Sequence, residues 1–192
     1  MTSIRRGGAV RLAGATVLIH LAVSCTGPGE AAPSSTMPPT RDDATIVMSD
    51  CGESVGIDVV QVGGGPDVDY IIESIGMGGA WLDYDNDGDP DLYLAQGATN
   101  DAPRNGPPDR LLRNDGDPDG DGIPGFTDVT GETGLGDRRW SFGVATADYD
   151  NDGDADIYLL NWGRNRLYRN NGDGTFTDVA EAAGLADPRW ST

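Results

Sequence analysis

An acidic nine-residue segment that occurs twice constrains this chain more than any other feature. It reads Asp83-Tyr-Asp-Asn-Asp-Gly-Asp-Pro-Asp91 and returns as Asp148-Tyr-Asp-Asn-Asp-Gly-Asp-Ala-Asp156. Five aspartates so close together repel one another, and an apolar core does not accept unpaired carboxylates. The spacing is explained if each segment wraps around Ca²⁺, which takes about six to eight oxygen ligands in loops where a glycine permits a sharp bend.

In each loop we expect the aspartates at positions 1, 3, 5 and 9 to supply carboxylates and the aspartate at position 7 to supply its backbone carbonyl. The predicted metal ligands are Asp83, Asp85, Asp87, Asp89 and Asp91 in the first loop and Asp148, Asp150, Asp152, Asp154 and Asp156 in the second. Position 12 of each loop is a leucine, whereas an EF-hand has a bidentate glutamate there. The apolar residues that follow each loop are typical of a buried strand, so each ion would join two strands. Solvated acidic turns are the alternative.

A third acidic segment has the same spacing. Asp117, Asp119 and Asp121 stand at positions 1, 3 and 5, Gly122 follows them, and Asp128 stands at position 12. This pattern predicts either a third calcium site or an acidic surface turn, because Asp128 also belongs to a repeated strand motif.

The two acidic loops are part of a longer repeat. Arg110-Leu-Leu-Arg-Asn114 matches Arg166-Leu-Tyr-Arg-Asn170, and Phe126-Thr-Asp-Val129 matches Phe176-Thr-Asp-Val179. Each unit offers about four short strands, and Asn171-Gly-Asp-Gly174 indicates a hairpin between the last two. Four strands repeated every 50 residues or so are typical of a β-propeller blade. A β-sandwich or a solenoid is the alternative.

The predicted fold is therefore all-β: a partial β-propeller with two four-stranded blades, an orphan N-terminal outer strand and a truncated third blade. The orphan strand is inferred from residues 49–57, which align without gaps on residues 127–135. Because propellers contain about four to eight blades, we expect the chain to be a fragment of a longer protein. The predicted divisions are a signal peptide at 1–24, a flexible tether at 25–44, an N-terminal strand and lead-in at 45–74, blades at 75–139 and 140–189, and the start of another blade at 190–192.

The N-terminus predicts export from the cytoplasm. Basic residues precede an apolar stretch, 12–23, that is too short to span a bilayer. Leu21-Ala-Val-Ser-Cys25 resembles a bacterial lipobox, in which case Cys25 would carry the lipid anchor of a cell-envelope lipoprotein. Ordinary cleavage and secretion is the alternative. We expect contact with the membrane only through this anchor.

Composition excludes several functions. The net charge is −19 and all 13 basic residues are arginines, which disfavours nucleic acids and anionic membranes as partners. The only histidine, His20, lies in the predicted signal peptide, so the mature chain would have no histidine or lysine for general-base or nucleophilic catalysis. We expect a non-enzymatic binding segment. The alternatives are a fragment of a secreted propeller enzyme whose catalytic residues lie in a missing C-terminal part, and a fragment without function.

Glu73-Ser-Ile-Gly-Met-Gly-Gly-Ala-Trp81, the two acidic loops and the Phe-Thr-Asp-Val motifs resemble the FG-GAP/VCBS repeats of integrin-α-type propellers. The similarity is greatest to bacterial lipoproteins of the cartilage acidic protein 1-like family and covers about residues 46–192. It implies a calcium-binding propeller of roughly seven or eight blades outside the cytoplasm. The loop aspartates of both copies match that family's metal ligands. The implied partners are an extracellular protein or carbohydrate and the remaining blades of a parent protein.

The cysteine and tryptophan residues of the repeat region are expected to have packing roles rather than binding roles. Cys51 stands where the repeat has Val129 and Val179, so buried packing is expected, with a Cys25–Cys51 disulfide as the alternative if cleavage falls earlier. The four tryptophans recur near blade starts and strand ends and are expected to pack in the core or between blades rather than to stack on sugars: Trp81, Trp140, Trp162 and Trp190.

Overall fold

A computed structural model of the chain describes residues 50–65, 67, 69–189 and 191. The chain divides into two units, and the larger one, residues 53–192, contains all of the described strands. The predicted signal peptide, Cys25 and the tether lie outside the described residues, as does Trp190. Within the described residues, no helix is both long enough and apolar enough to cross a membrane.

The larger unit consists of two four-stranded sheets, each built from strands that are consecutive in the chain and pair antiparallel. The first sheet contains β1 (Gly79–Leu82), β2 (Asp91–Leu94), β3 (Arg110–Asn114) and β4 (Phe126–Asp128). The second contains β5 (Ser141–Ala147), β6 (Asp156–Asn161), β7 (Arg166–Asn170) and β8 (Phe176–Asp178). Helical structure in the described chain is limited to short 3-10 turns at Glu53–Val55 and Ile71–Ser74 and to α1 (Thr130–Thr133). The predicted all-β fold with two four-stranded units is confirmed, and the sheets are consistent with blades of a partial propeller.

The predicted hairpin in the second sheet is also confirmed. The Asn171 N–H donates to the Thr175 carbonyl at 3.0 Å, and β7 pairs with β8 from Tyr168 to Asn170. Gly172 and Gly174 have φ values of 72° and 82°, a backbone conformation that glycine adopts without steric cost. The glycines of the Asn-Gly-Asp-Gly sequence therefore permit the turn that joins the two strands.

Both sheets contribute to one apolar cluster, which places them against each other. Leu82, Tyr93 and Leu111 of the first sheet pack with Ile157 and Leu159 of the second, and the last four of these five are fully buried. A smaller cluster surrounds the buried Trp140, whose ring stacks on Phe142 at 6.1 Å between centroids. Burying apolar surface contributes about 25 cal/mol of stability per Å², so these contacts are the main source of stability.

A buried polar residue just before the third strand of each sheet joins that sheet to the next repeat. The Asp109 carboxylate accepts hydrogen bonds from the Gln96 N–H (2.6 Å), the Tyr93 hydroxyl (2.9 Å) and the Ser141 hydroxyl (3.1 Å). Ser141 begins the first strand of the second sheet.

Asn165 has the same role in the second sheet. Its side-chain oxygen accepts from the Asn161 N–H, and its amide nitrogen donates to the hydroxyls of Tyr158 and Ser191, all at 3.0 Å. Ser191 therefore stands to the second sheet as Ser141 stands to the first.

The expected orphan strand is wrong over the described residues 50–57. Glu53–Val55 forms a 3-10 turn instead, and in the alignment with residues 127–135 this turn falls on α1. The strand part of that alignment maps to residues 49 and 50, of which only Asp50 is described, and Asp50 is not in a strand. Cys51 is half-buried. Trp140 is fully buried as expected, but Trp81 and Trp162 remain 48% and 40% exposed.

Candidate metal centres

The acidic loops lie at one end of the two sheets. The first, 83–91, connects β1 to β2, and the second, 148–156, connects β5 to β6. Because the strands alternate in direction, the β3–β4 connection with the third acidic segment lies at this same end. The β2–β3 and β6–β7 connections lie at the opposite end.

The first aspartate of each loop holds the loop in its bent shape. Asp83 accepts hydrogen bonds from the Asp87 and Gly88 N–H groups at 3.1 and 3.0 Å. Asp148 accepts from Asp152 and Gly153, both at 3.1 Å. The loop glycines have φ values of 94° and 100°, which most other residues adopt only with strain, so the glycine of each loop is required by its backbone.

The aspartate at position 9 connects the loop to the sheet. Asp91 is fully buried and accepts from the Tyr84 N–H at 2.9 Å and the Asn114 N–H at 2.8 Å. Asp156 repeats these contacts with the N–H groups of Tyr149 and Asn170. Each carboxylate thus bridges the start of its own loop and the end of the third strand.

Burial disfavours the ionised form of these two carboxylates. Desolvation raises the pKa of Asp91 to about 6 and also raises that of Asp156. The negatively charged Asp85 and Asp87 add to the effect on Asp91. A cation beside the buried carboxylate would favour its ionised form, which is how a metal ion would stabilise this arrangement.

Three aspartates of each loop bring their oxygens together. Asp83, Asp85 and Asp91 form one cluster, and Asp148, Asp150 and Asp156 form the equivalent one, with ligand atoms within 4.8 Å of one another in each. The side chains of Asp87 and Asp152 lie outside these clusters among the described carboxylates. They accept hydrogen bonds from the N–H groups of Asp89 (2.9 Å) and Asp154 (3.0 Å). Hard carboxylate oxygens at this spacing suit Ca²⁺ or Mg²⁺ rather than a metal that prefers nitrogen or sulfur.

The third acidic segment copies the loop but not its buried anchor. Asp117, Asp119 and Asp121 also place ligand atoms within 4.8 Å of one another, and Asp117 accepts from the N–H groups of Asp121 (3.1 Å) and Gly122 (2.8 Å). All three side chains are exposed, and the ninth position is Gly125.

The expectation that Asp128 completes this third loop is not supported by its contacts. Its carboxylate accepts from the Arg110 guanidinium at 2.7 Å and from the Thr130 N–H at 3.0 Å. It therefore caps the turn that follows β4.

Sequence reasoning missed the fourth position of the loops. Asn86 and Asn151 both have a φ of 59°, and Gly120 in the third segment has a φ of 77°. Asparagine and glycine are the residues that most readily adopt this left-handed conformation. Their recurrence at the fourth position was the available signal.

The two acidic loops touch each other. The Asn86 side-chain amide donates to the Asp154 carboxylate at 2.6 Å. The Asn170 amide, at the end of β7, donates to the Tyr84 carbonyl at 2.7 Å, and this hydrogen bond is buried. The Tyr84 and Phe176 rings lie 6.5 Å apart between centroids. The first loop is therefore built partly on residues of the second sheet.

Comparison with known protein families agrees with this repeated architecture. The FG-GAP-like repeat matches residues 83–159 and 148–192, and the two matches begin at the first aspartate of the two acidic loops. No curated protein matches the chain. The matched regions together span residues 83–192, more than half of the 192 residues, and the chain belongs to the FG-GAP-like repeat family.

Proposed function

We propose that the chain is a non-enzymatic, calcium-binding segment of an extracytoplasmic β-propeller that serves adhesion or recognition. The observation that carries this proposal is the pair of three-aspartate clusters, each with a buried ninth-position carboxylate bonded to two backbone N–H groups. Two loops that agree in every one of these contacts indicate a shared requirement rather than an accidental acidic turn.

Calcium would be held by the carboxylates at positions 1, 3 and 9, with the carboxylate at position 5 and the backbone carbonyl at position 7 as the further ligands expected from the sequence. Each carboxylate oxygen has two lone pairs, so an oxygen that accepts one backbone hydrogen bond still has a lone pair for a cation. The ion would offset repulsion between aspartates that are close in space. The exposed third cluster is proposed as a weaker site, because it has no buried carboxylate.

A recognition role is proposed in preference to catalysis because the predicted mature chain would have no histidine or lysine to act as a general base or nucleophile. All of the basic residues are arginines, and the single histidine, His20, lies in the predicted signal peptide. We further propose that the parent protein is of the cartilage acidic protein 1-like lipoprotein kind, anchored in the bacterial envelope through Cys25. Labelled palmitate that is incorporated by the wild type and not by Cys25→Ser would test the anchor.

Calorimetric titration with calcium tests the metal sites. We expect saturable binding at two strong sites, and loss of about half of the strong-site stoichiometry in an Asp148→Ala/Asp150→Ala variant. Asp58→Asn is the matched control, because Asp58 is an exposed aspartate outside the loops. The absence of saturable calcium heat, or equal binding by the loop variant and the control, would contradict the proposal.

A further inference from the structure

We propose that the end of the molecule opposite the acidic loops binds a segment of another protein in which an acidic residue stands beside a large apolar residue. The binding surface is centred on Trp162, in the connection between β6 and β7. This inference rests on the proposed recognition function and specifies its site and the chemistry of its partner.

Trp162 borders two cavities. The larger, of about 580 Å³, is lined by Tyr70, Ile71, Ile72, Asn100, Asp101 and Trp162. The smaller, of about 200 Å³, is lined by Arg104, Arg139, Trp162, Gly163, Arg164 and Pro188. The larger volume lies within the range of roughly 300–1,000 Å³ found for binding pockets. A single ligand that crosses Trp162 can occupy both cavities.

The larger cavity has apolar side chains in its walls, and a carboxylate fixes two of these walls relative to each other. The Glu73 side chain accepts from the Tyr70 N–H at 2.8 Å and from the Asn100 amide at 2.6 Å, so it ties the two walls together. The hydrogen bond from Tyr70 is the main cause that lowers the pKa of Glu73. Tyr70 and Ile71 remain 62% and 74% exposed. Large apolar side chains fixed in an exposed position are typical of an interaction surface.

The smaller cavity has arginine charge that is weakly neutralised. Arg164 makes only an exposed pair with Glu181 at 3.6 Å, of a kind that contributes little. Arg139 shares the Asp137 carboxylate with Arg166. Within the part of the chain that the structure describes, Arg104 makes no ion pair. These guanidinium groups can therefore receive a carboxylate from a ligand.

The two cavities together favour a protein segment over an acidic sugar. The arginines suit either ligand, but a sugar acid bound there would leave the apolar wall formed by Ile71 and Ile72 unfilled. An apolar side chain next to a carboxylate would fill both cavities at once. Tryptophan, tyrosine and arginine are also the residues that contribute most often to protein–protein binding energy.

The test uses the 192-residue chain saturated with calcium. The ligand added to it is a capped hexapeptide with aspartate and phenylalanine at its centre. The readout is the indole N–H signal of Trp162 in heteronuclear NMR spectra, which is assigned with Trp162→Phe. We expect this signal to shift on titration, and the peptide affinity to fall about tenfold or more in Arg104→Gln/Arg164→Gln. Peptides in which asparagine replaces aspartate, or alanine replaces phenylalanine, should bind the wild type at least as weakly as the original peptide binds the double variant.

Arg113→Gln is the matched control, because Arg113 lies near the end of β3 that carries the acidic loops. It removes an arginine from the other end of the molecule and should leave peptide affinity unchanged. A Trp162 signal that does not move at millimolar peptide would overturn the inference, and so would an affinity that is equal in the double variant and the wild type. Binding of polygalacturonate without binding of the peptide would assign the surface to acidic glycans and would also overturn it.

Calcium binding by the same sample separates this inference from the proposed function. If calcium binds and the peptide does not, only the Trp162 site fails. If calcium does not bind, the proposed function itself fails, whatever the peptide does.

Discussion

At the scale of the residue, the two repeats place different side chains in one buried position. Asp109 and Asn165 each contact a backbone N–H, a tyrosine hydroxyl and the serine that begins the next repeat. Burial raises the pKa of Asp109 to about 8, and the nearby Asp137 carboxylate contributes to the increase. The second repeat shows that a neutral amide fits the same surroundings. The first repeat therefore has a carboxyl group where its environment favours an uncharged one.

Asp109→Asn should make the protein less sensitive to high pH. The pKa of Asp109 is about 8 in the folded state and close to the ordinary 3.8 in the unfolded chain, so the folded state binds the proton more tightly. The stabilisation from this group is complete below about pH 4 and is lost as the pH rises through about 8. We expect urea unfolding at pH 9 to give a free energy about 1–3 kcal/mol higher for the variant than for the wild type.

Asn165→Asp is the reciprocal control for this prediction. It introduces a carboxyl group into the equivalent buried site and should lower the free energy of unfolding at pH 9 while changing it little at pH 5. If the wild type and Asp109→Asn lose stability in parallel between pH 5 and pH 9, Asp109 does not hold a proton in the folded state.

At the scale of the element, the sequence predicted where the acidic loops lie but not how their side chains are used. The spacing indicated the clustered aspartates at positions 1 and 3, because these are close in the chain. The buried Asp91 carboxylate accepts a hydrogen bond from Asn114, which lies 23 residues away. The contact between Asn86 and Asp154 joins residues that are 68 positions apart. Neither contact can be predicted from the spacing of residues within a loop, because both depend on how the strands and sheets pack.

Asn86→Gly should uncouple the two loops while leaving in place the carboxylates proposed as their calcium ligands. Glycine adopts the φ of 59° at this position without strain, but it removes the amide that donates to Asp154. A hydrogen bond contributes about 0.5–1.5 kcal/mol net, and because this one is exposed only part of that should appear as coupling between the sites.

A thermodynamic cycle measures this coupling. Asp83→Ala disables the first loop, and we expect it to weaken calcium binding at the second loop about three- to tenfold. In the Asn86→Gly background the same substitution should have little effect on the second loop. Asn151→Gly, the same change in the second loop, is the control that should leave the coupling intact. An effect of Asp83→Ala that is equal in both backgrounds would show that the loops bind calcium independently.

At the scale of the whole molecule, the internal repeat was the part of the sequence that predicted structure best. The matching Arg110–Asn114 and Arg166–Asn170 segments became β3 and β7, and the Phe-Thr-Asp motifs became β4 and β8. The same reasoning failed at residues 50–57, because the segment on which they align contains the end of β4 and then the turn of α1. The matching residues in that alignment form a turn in both segments, but the match was interpreted as evidence for a strand. The cavities beside Trp162 could not be predicted, since their walls come from five separate segments of the chain: the residues before β1, the β2–β3, β4–β5 and β6–β7 connections, and the residues after β8.

Removal of calcium should destabilise the molecule as a whole, because its charge is strongly unbalanced. The chain has 32 acidic residues against 13 arginines, and all three aspartate clusters lie at one end. An ion that binds only the folded state at 100 times its dissociation constant contributes about 2.7 kcal/mol per site. For two sites we expect a chelator to lower the melting temperature by roughly 10–20 °C.

Sodium chloride at about 0.5 M should restore part of this loss by screening the repulsion, and it should change the melting temperature of the calcium-loaded protein much less. The Asp148→Ala/Asp150→Ala variant should respond to the chelator by about half as much. A melting temperature that is the same with calcium and with chelator would mean that the folded molecule tolerates its aspartate clusters without metal.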